Sequence, residues 1–186
     1  MNMEKREITK AILAAIGIAG ILVVAATAPN AALLLKPFIE RGRRQQFRKR
    51  SVAQAIRRLH KQRFIEFIEK GDKTLLQITE RGEKRLREFN FEQLKLVPPQ
   101  SRNRVWTIIL FDIPEYKKTA RDALRRKLKE IGCYQYHRSV FVYPAPCRDE
   151  IDFVGEFFEV AQYIIHFETP TLGNQERRAL DFFDLR

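Results

Sequence analysis

The sequence predicts an α+β chain in two parts. The first is basic and mostly helical, and the second runs in the order βαββαβ with an added C-terminal helix. Three observations predict this. Residues 1–103 carry 22 Lys/Arg against 10 Asp/Glu, whereas residues 104–186 carry 13 of each. The apolar period is helical through most of the first part, then alternates between short β-prone runs and helical stretches. Residues 94–103 hold Pro98-Pro99 among polar side chains and read as a stiff linker. The expected division is therefore 1–93, 94–103 and 104–186, which suits a chain of 186 residues and 22.0 kDa.

Composition removes several classes. An apolar content of 45% excludes wholesale disorder, and two cysteines exclude a disulfide scaffold or a four-cysteine zinc site. A net charge of +12 and a pI near 10.0 make a polyanion the leading partner class. Residues 36–63 alone hold 11 basic side chains and one acid, Glu40. Solvating faces usually mix both signs, and this one does not.

Residues 11–35 contain no charged side chain, enough to cross a bilayer. Lys5, Arg6 and Lys10 precede the run, and small residues follow at 25–28, as in a secretory signal. Against both, the run is rich in Ala and Gly, lacks Trp or Tyr at its ends, and is broken by Pro29-Asn30. Asn30 can cap a second helix over 31–40. The expectation is a buried helix over 11–28 in a soluble, cytoplasmic protein, with a membrane anchor through 11–28 as the alternative. Such a helix is apolar on more than one face and needs a covering surface, from its own subunit or a mate.

In residues 50–62, Val52, Ala55, Ile56 and Leu59 form one helical stripe, while Arg50, Gln54, Arg57, Arg58 and Lys61 occupy the other side. No Glu stands four residues from these cations, as a merely solvated helix would normally show. A major-groove reading helix requires this division: Arg can pair with guanine, Gln with adenine, and the remainder with phosphates. Two β-prone runs, 63–69 and 74–78, flank Gly71-Asp72 as a hairpin with Lys70 and Lys73 at its tip. Thr79 caps a helix over 80–89 whose first turn is acidic. Helix, helix, basic helix, hairpin, helix is the order of a winged helix-turn-helix.

In the second part, residues 104–112 form a strand ended by Ile113-Pro114. A helix over 115–131 carries Ala123, Leu124, Leu128 and Ile131 and stops at Gly132. Strands follow at 134–137 and 140–143, then a helix over 148–160 with Ile151, Val154, Phe157 and Phe158 inward. A last strand at 161–167 completes a ferredoxin-like βαββαβ unit, and an amphipathic helix over 174–185 is added.

The stretch 104–147 resembles the central domain of the PaaX-like (phenylacetate-degradation repressor) family. The matching pieces are Val105-Trp106, Phe111-Asp112-Ile113-Pro114-Glu115, residues 120–128, Gly132 and Ser139-Val140-Phe141-Val142-Tyr143-Pro144. That domain is itself similar to the small CRISPR-associated endonuclease and integration subunit. The resemblance implies a homodimeric, DNA-binding transcriptional regulator, typically a repressor, paired through its ferredoxin-like part. The chain ends sooner after Phe167 than the family's full-length repressors, so an acyl-CoA effector is not carried over and the effector stays open.

Double-stranded DNA is thus the expected partner. Arg50, Gln54, Arg57 and Arg58 would approach bases, Arg43, Arg44, Arg48, Lys49, Lys61 and Lys73 would hold phosphates, and Ser51 and Lys70 (at the wing tip, near the phosphate backbone or the minor groove) would also contact DNA. No catalysis and no cofactor are expected. The alternative is a metal-dependent nuclease or integration subunit: in the CRISPR-associated relatives an aspartate at the place of Asp112, one from each subunit, holds a divalent ion such as Mg²⁺. A membrane-anchored regulator is the further alternative. His60, His137 and His166 lack zinc-ligand spacing, and Cys133 and Cys147 read as reduced, buried thiols. The spacing of Phe141, Tyr143, Phe157 and Phe158 suits a core.

Overall fold

A computed structural model describes residues 3–19, 21–24, 49–71, 73–97 and 105–185. The chain forms two units, Met1–Glu92 and Gln93–Arg186. The first contains α1 (Met3–Ala19), β1 (Ile21–Val24), α2 (Lys49–Lys61), β2 (Ile65–Lys70), β3 (Lys73–Ile78) and α3 (Glu80–Gln93). Its sheet is antiparallel in the order β1-β3-β2.

The apolar N-terminal run is not one helix over 11–28. The helix begins earlier, at Met3, and ends at Ala19; residues 21–24 then pair with β3, Ile21 opposite Gln77 and Val24 opposite Thr74. The cause lies in composition: Gly20 separates an Ala-rich stretch from Ile-Leu-Val-Val, whose β-branched side chains favour a strand. Among the described residues no helix is long and apolar enough to cross a membrane. The expected helix over 31–40 lies outside the described residues.

The cover for α1 comes from its own unit. Ile8, Ile12, Leu13, Ala15 and Ile16 are buried against Val52, Ala55, Ile56 and Leu59 of α2, Ile65, Leu76 and Ile78 of the sheet, and Phe89 of α3. Each large apolar side chain buried in this way contributes roughly 1.5–3 kcal/mol. Arg6 bridges α1 to Glu92 at the end of α3.

The second unit contains β4 (Trp106–Phe111), α4 (Lys118–Glu130), β5 (Tyr134–His137), β6 (Val140–Tyr143), α5 (Arg148–Phe157), β7 (Ile164–Thr169) and α6 (Glu176–Phe183). Its antiparallel sheet has the order β5-β6-β4-β7, the ferredoxin-like arrangement of a βαββαβ chain. Leu124, Leu128, Ile151 and Val154 of α4 and α5 are fully buried. Ile164 meets α5 at Gly155, and His166 bonds Asp152 of α5 at 2.8 Å, so these β7 residues face the helical layer. On the opposite face α6 packs Ala179, Leu180 and Phe183 on Trp106, Ile108 and Val142. Leu96 is buried in this unit, its N–H donating to the Ile131 carbonyl at 3.2 Å.

Phe157 does not point inward as its spacing suggested: it is 37% exposed and packs edge-on against Phe158. It stands in the last turn of α5, where the chain bends away at Glu159 and the apolar stripe runs past the sheet.

Four helices end in one way. A residue with positive φ follows α2 (Arg63), α4 (Gly132), α5 (Glu159) and α6 (Asp184). The next N–H reaches back five residues, from Phe64 to Leu59, Cys133 to Leu128, Val160 to Gly155 and Leu185 to Leu180. This satisfies carbonyls left open at a helix end and tucks an apolar side chain beneath it.

Candidate nucleic-acid interface

α2 is the most basic helix of the described chain. Its apolar stripe of Val52, Ala55, Ile56 and Leu59 is buried, which turns Ala53, Gln54, Arg57, His60 and Lys61 to solvent. Its first turn holds no acid, while Arg58, His60 and Lys61 stand in its last turn. Cations in the last turn suit the helix dipole, by about 0.3–1 kcal/mol each.

The hairpin is built by register. Lys70 lies opposite Lys73, and Gly71 has φ +59, which a tight hairpin turn demands. Lys70 is exposed at this tip, with Glu66 and Glu69 exposed along the same strand. On β2 Ile65 is buried, whereas Phe67, two residues along on the same face, is 44% exposed and meets the His60 ring edge-on at 4.8 Å. Thr79 caps α3 as expected, its hydroxyl accepting the Gly82 N–H at 3.1 Å and donating to the Arg63 carbonyl at 2.7 Å.

Of the residues expected to touch DNA, Gln54, Arg57 and Lys61 share the exposed side of α2, and Lys70 is at the hairpin tip. Lys49, Arg50 and Ser51 fall in the first turn of α2, and Lys73 begins β3. Arg43, Arg44 and Arg48 lie outside the described residues. Arg58 departs from its neighbour: it is half-buried and lines a cleft of about 730 Å³ among α1, α2 and α3. The sequence reading missed that cleft and the His60–Phe67 contact. The only available signal was Arg81 and Arg85 at i,i+4 on α3, which sequence alone cannot place beside Arg58.

Asp112 ends β4. Its side chain is exposed and its N–H donates to the Tyr163 carbonyl at 3.1 Å. Among the described residues no group of three or more His, Cys, Asp or Glu side chains could hold a metal ion. Beside it, Arg121 donates to the Ile113 carbonyl at 3.1 Å and to Glu115 at 2.7 Å, holding the Glu115 carboxyl below the usual carboxylate range. Tyr116 and Tyr163 share a 2.9 Å hydroxyl contact near the same turn. Cys133 and Cys147 are free and buried; burial pushes both thiols upward, Cys147 to about 12.

No curated protein matches the chain. Residues 99–180 match the PaaX protein central Cas2-like domain. The matched stretch contains all four strands of the second sheet together with α4 and α5, so the match and the observed βαββαβ topology describe the same object. The second unit is thus similar, over its whole sheet and both packed helices, to the PaaX central Cas2-like domain.

Proposed function

We propose that the protein binds duplex DNA as a homodimer and represses transcription, with the first unit reading DNA and the second pairing subunits. The observation that carries this is α2, which buries four apolar residues on one side and offers Gln54, Arg57 and Lys61 together on the other. The surrounding order α1, β1, α2, β2, β3, α3, with β1 as third strand of the hairpin sheet, supports a winged helix. In that fold α2 enters the major groove and the tip at Gly71 reaches the flanking backbone.

Pairing through the second unit is supported by its sheet. Ile165 and Phe167 alternate with the residues that face α5, so they lie on the α6 side, where Phe167 is opposite Ile108 and Ile165 opposite Leu110. They are 67% and 48% exposed, beyond the reach of α6. An apolar extension of a partly covered sheet face suits a second copy.

The test titrates the full-length protein onto a labelled duplex from its own upstream region and onto a scrambled duplex, with Mg²⁺ present. Tighter binding to the native duplex without cutting is expected. With about six phosphate contacts per subunit, log K should fall against log salt with a slope of about −5 per subunit. Equal affinity for both duplexes refutes sequence reading. Mg²⁺-dependent cutting lost in Asp112→Ala refutes the non-catalytic reading in favour of a nuclease.

A further inference from the structure

The cleft of about 730 Å³ in the first unit has the size of a small-molecule site and an unusual lining. Arg58 comes from α2, and Arg81, Lys84 and Arg85 come from α3, against one carboxylate, Glu88. Glu88 is bonded to Arg85 at 2.6 Å. Arg58, Arg81 and Lys84 therefore converge with no acid partner among the described residues. Beneath them lie Leu59, Phe64 and Phe89.

Arg81 is held in a receptive posture. Arg81 lies 5.3 Å above the Phe64 ring centroid and Arg85 4.2 Å above that of Phe89. A guanidinium stacked on a ring has its face covered and its N–H edge free to take oxygen atoms in pairs. Phe64 is fixed by the α2 cap, its N–H on the Leu59 carbonyl at 2.9 Å, and Phe89 is fully buried. A monoanion would leave two of three converging cations uncompensated. A dianionic phosphate matches them better, and the apolar floor leaves room for an organic body.

We propose that this cleft binds a phosphorylated small molecule, with Arg58, Arg81 and Lys84 taking its phosphate. The cleft stands where β2 begins and β3 ends, the end of the sheet opposite the Gly71 turn. The site is therefore separate from the hairpin tip, and it does not rest on duplex binding. Arg58 still ties the ligand to α2, whose next residue, Arg57, faces outward.

The experiment is calorimetric titration of the full-length protein in chloride buffer with phenyl phosphate, and with benzoate as a monoanionic comparison. Phenyl phosphate should saturate one site per chain and bind at least about tenfold more tightly than benzoate. Arg81→Gln and Lys84→Gln should each weaken it about tenfold, while Lys129→Gln, the same charge change in the second unit, should leave it unaltered. Lys84 makes no ring contact, so its variant separates lost binding from lost packing, and melting curves check that each variant is folded. Absence of saturation, equal binding of benzoate, or equal loss in Lys129→Gln overturns the proposal. If Arg81→Gln and Lys84→Gln weaken duplex binding in parallel with phenyl phosphate, the cleft is a DNA backbone contact and the small-molecule reading falls. A wild-type protein that binds phenyl phosphate but no duplex refutes the DNA reading alone.

Discussion

Two helical glycines are expected to respond to alanine with opposite signs. Helix propensity alone predicts that either change stabilises by about 0.8–1 kcal/mol. At Gly17 in α1, an added methyl would meet only the Leu86 Cδ2 at 3.0 Å, the end of a flexible side chain. At Gly82 in α3 it would lie 2.0 Å from the Phe64 carbonyl oxygen and 2.7 Å from the Ile78 Cγ1. The Phe64 carbonyl accepts the Thr79 N–H at 3.1 Å and its own N–H is tied to Leu59, so it cannot step aside and α3 must. Overpacking of this kind costs about 1–3 kcal/mol. Moving α3 also stretches the Gly82 N–H to Thr79 cap, worth about 1 kcal/mol. Against a propensity gain of about 1 kcal/mol, Gly82→Ala should lose about 1–3 kcal/mol and Gly17→Ala should gain up to about 1 kcal/mol.

The chain supplies its own control. Its one tryptophan, Trp106, is buried in the second unit, whereas both glycines are in the first. Urea unfolding of the full-length protein, followed at 222 nm and by tryptophan fluorescence, should show the helical transition moving to lower urea in Gly82→Ala while the fluorescence transition stays in place. A Gly82→Ala variant as stable as wild type would refute the claim that the carbonyl contact is tight. A fluorescence midpoint that moves with it would mean the effect is not confined to the first unit.

Other outcomes follow from the same geometry. Arg57→Ala should weaken binding to the native duplex by about 1–3 kcal/mol and narrow its margin over scrambled DNA if Arg57 reads a base; uniform loss with a salt slope shallower by about one would make it a phosphate contact. Because Arg121 lowers the Glu115 carboxyl below its ordinary range in the fold, its stabilisation is fully present above that ordinary range and is lost as pH falls through the folded value. The melting temperature of Glu115→Gln should therefore lie below wild type at pH 6 and converge with it in acid, and a gap that persists in acid would refute the ion pair as its cause. Cys133 and Cys147, buried with raised thiols, should react with a disulfide reagent at pH 8 only as fast as the protein unfolds; immediate reaction of two thiols in the native protein would contradict their burial.

The second unit was nearly legible because each of its elements states its own period. Trp106–Phe111 is a short apolar run closed by Pro114, and α4 and α5 carry clean stripes ended at Gly132 and Glu159. Phe157 failed because a stripe does not announce where the opposing surface stops. The first unit failed at β1 for a related reason. Residues 11–24 are apolar without interruption, so periodicity could not separate a buried helix from a strand; pairing with β3, 50 residues away, decided it. The exposed side of α2 was readable because Gln54, Arg57 and Lys61 recur at helical spacing. Arg58 was assigned to the same side because its chemistry matched, but it stands about 100° around the helix from Arg57 and turns into the cleft with Arg81 and Lys84.

The motif that carried the family resemblance also bears on chemistry. In Phe111-Asp112-Ile113-Pro114-Glu115, four of five residues have structural work visible in the fold. Phe111 is buried and stacks at 6.0 Å on Phe141, and Ile113 is buried. Pro114 opens the turn of 3-10 helix at Glu115–Lys117, and Glu115 holds Arg121, which also takes the Ile113 carbonyl. Asp112 differs, since only its backbone N–H is engaged, with Tyr163. These four residues thus build the turn that ends β4 and leads into α4. Asp112 retains an exposed carboxylate that a single chain does not assemble with other metal ligands among the described residues. Divalent-metal chemistry at this position would need a second copy to bring its own Asp112 across, which makes the dimer geometry, rather than residue identity, the quantity that separates a regulator from a nuclease in this fold.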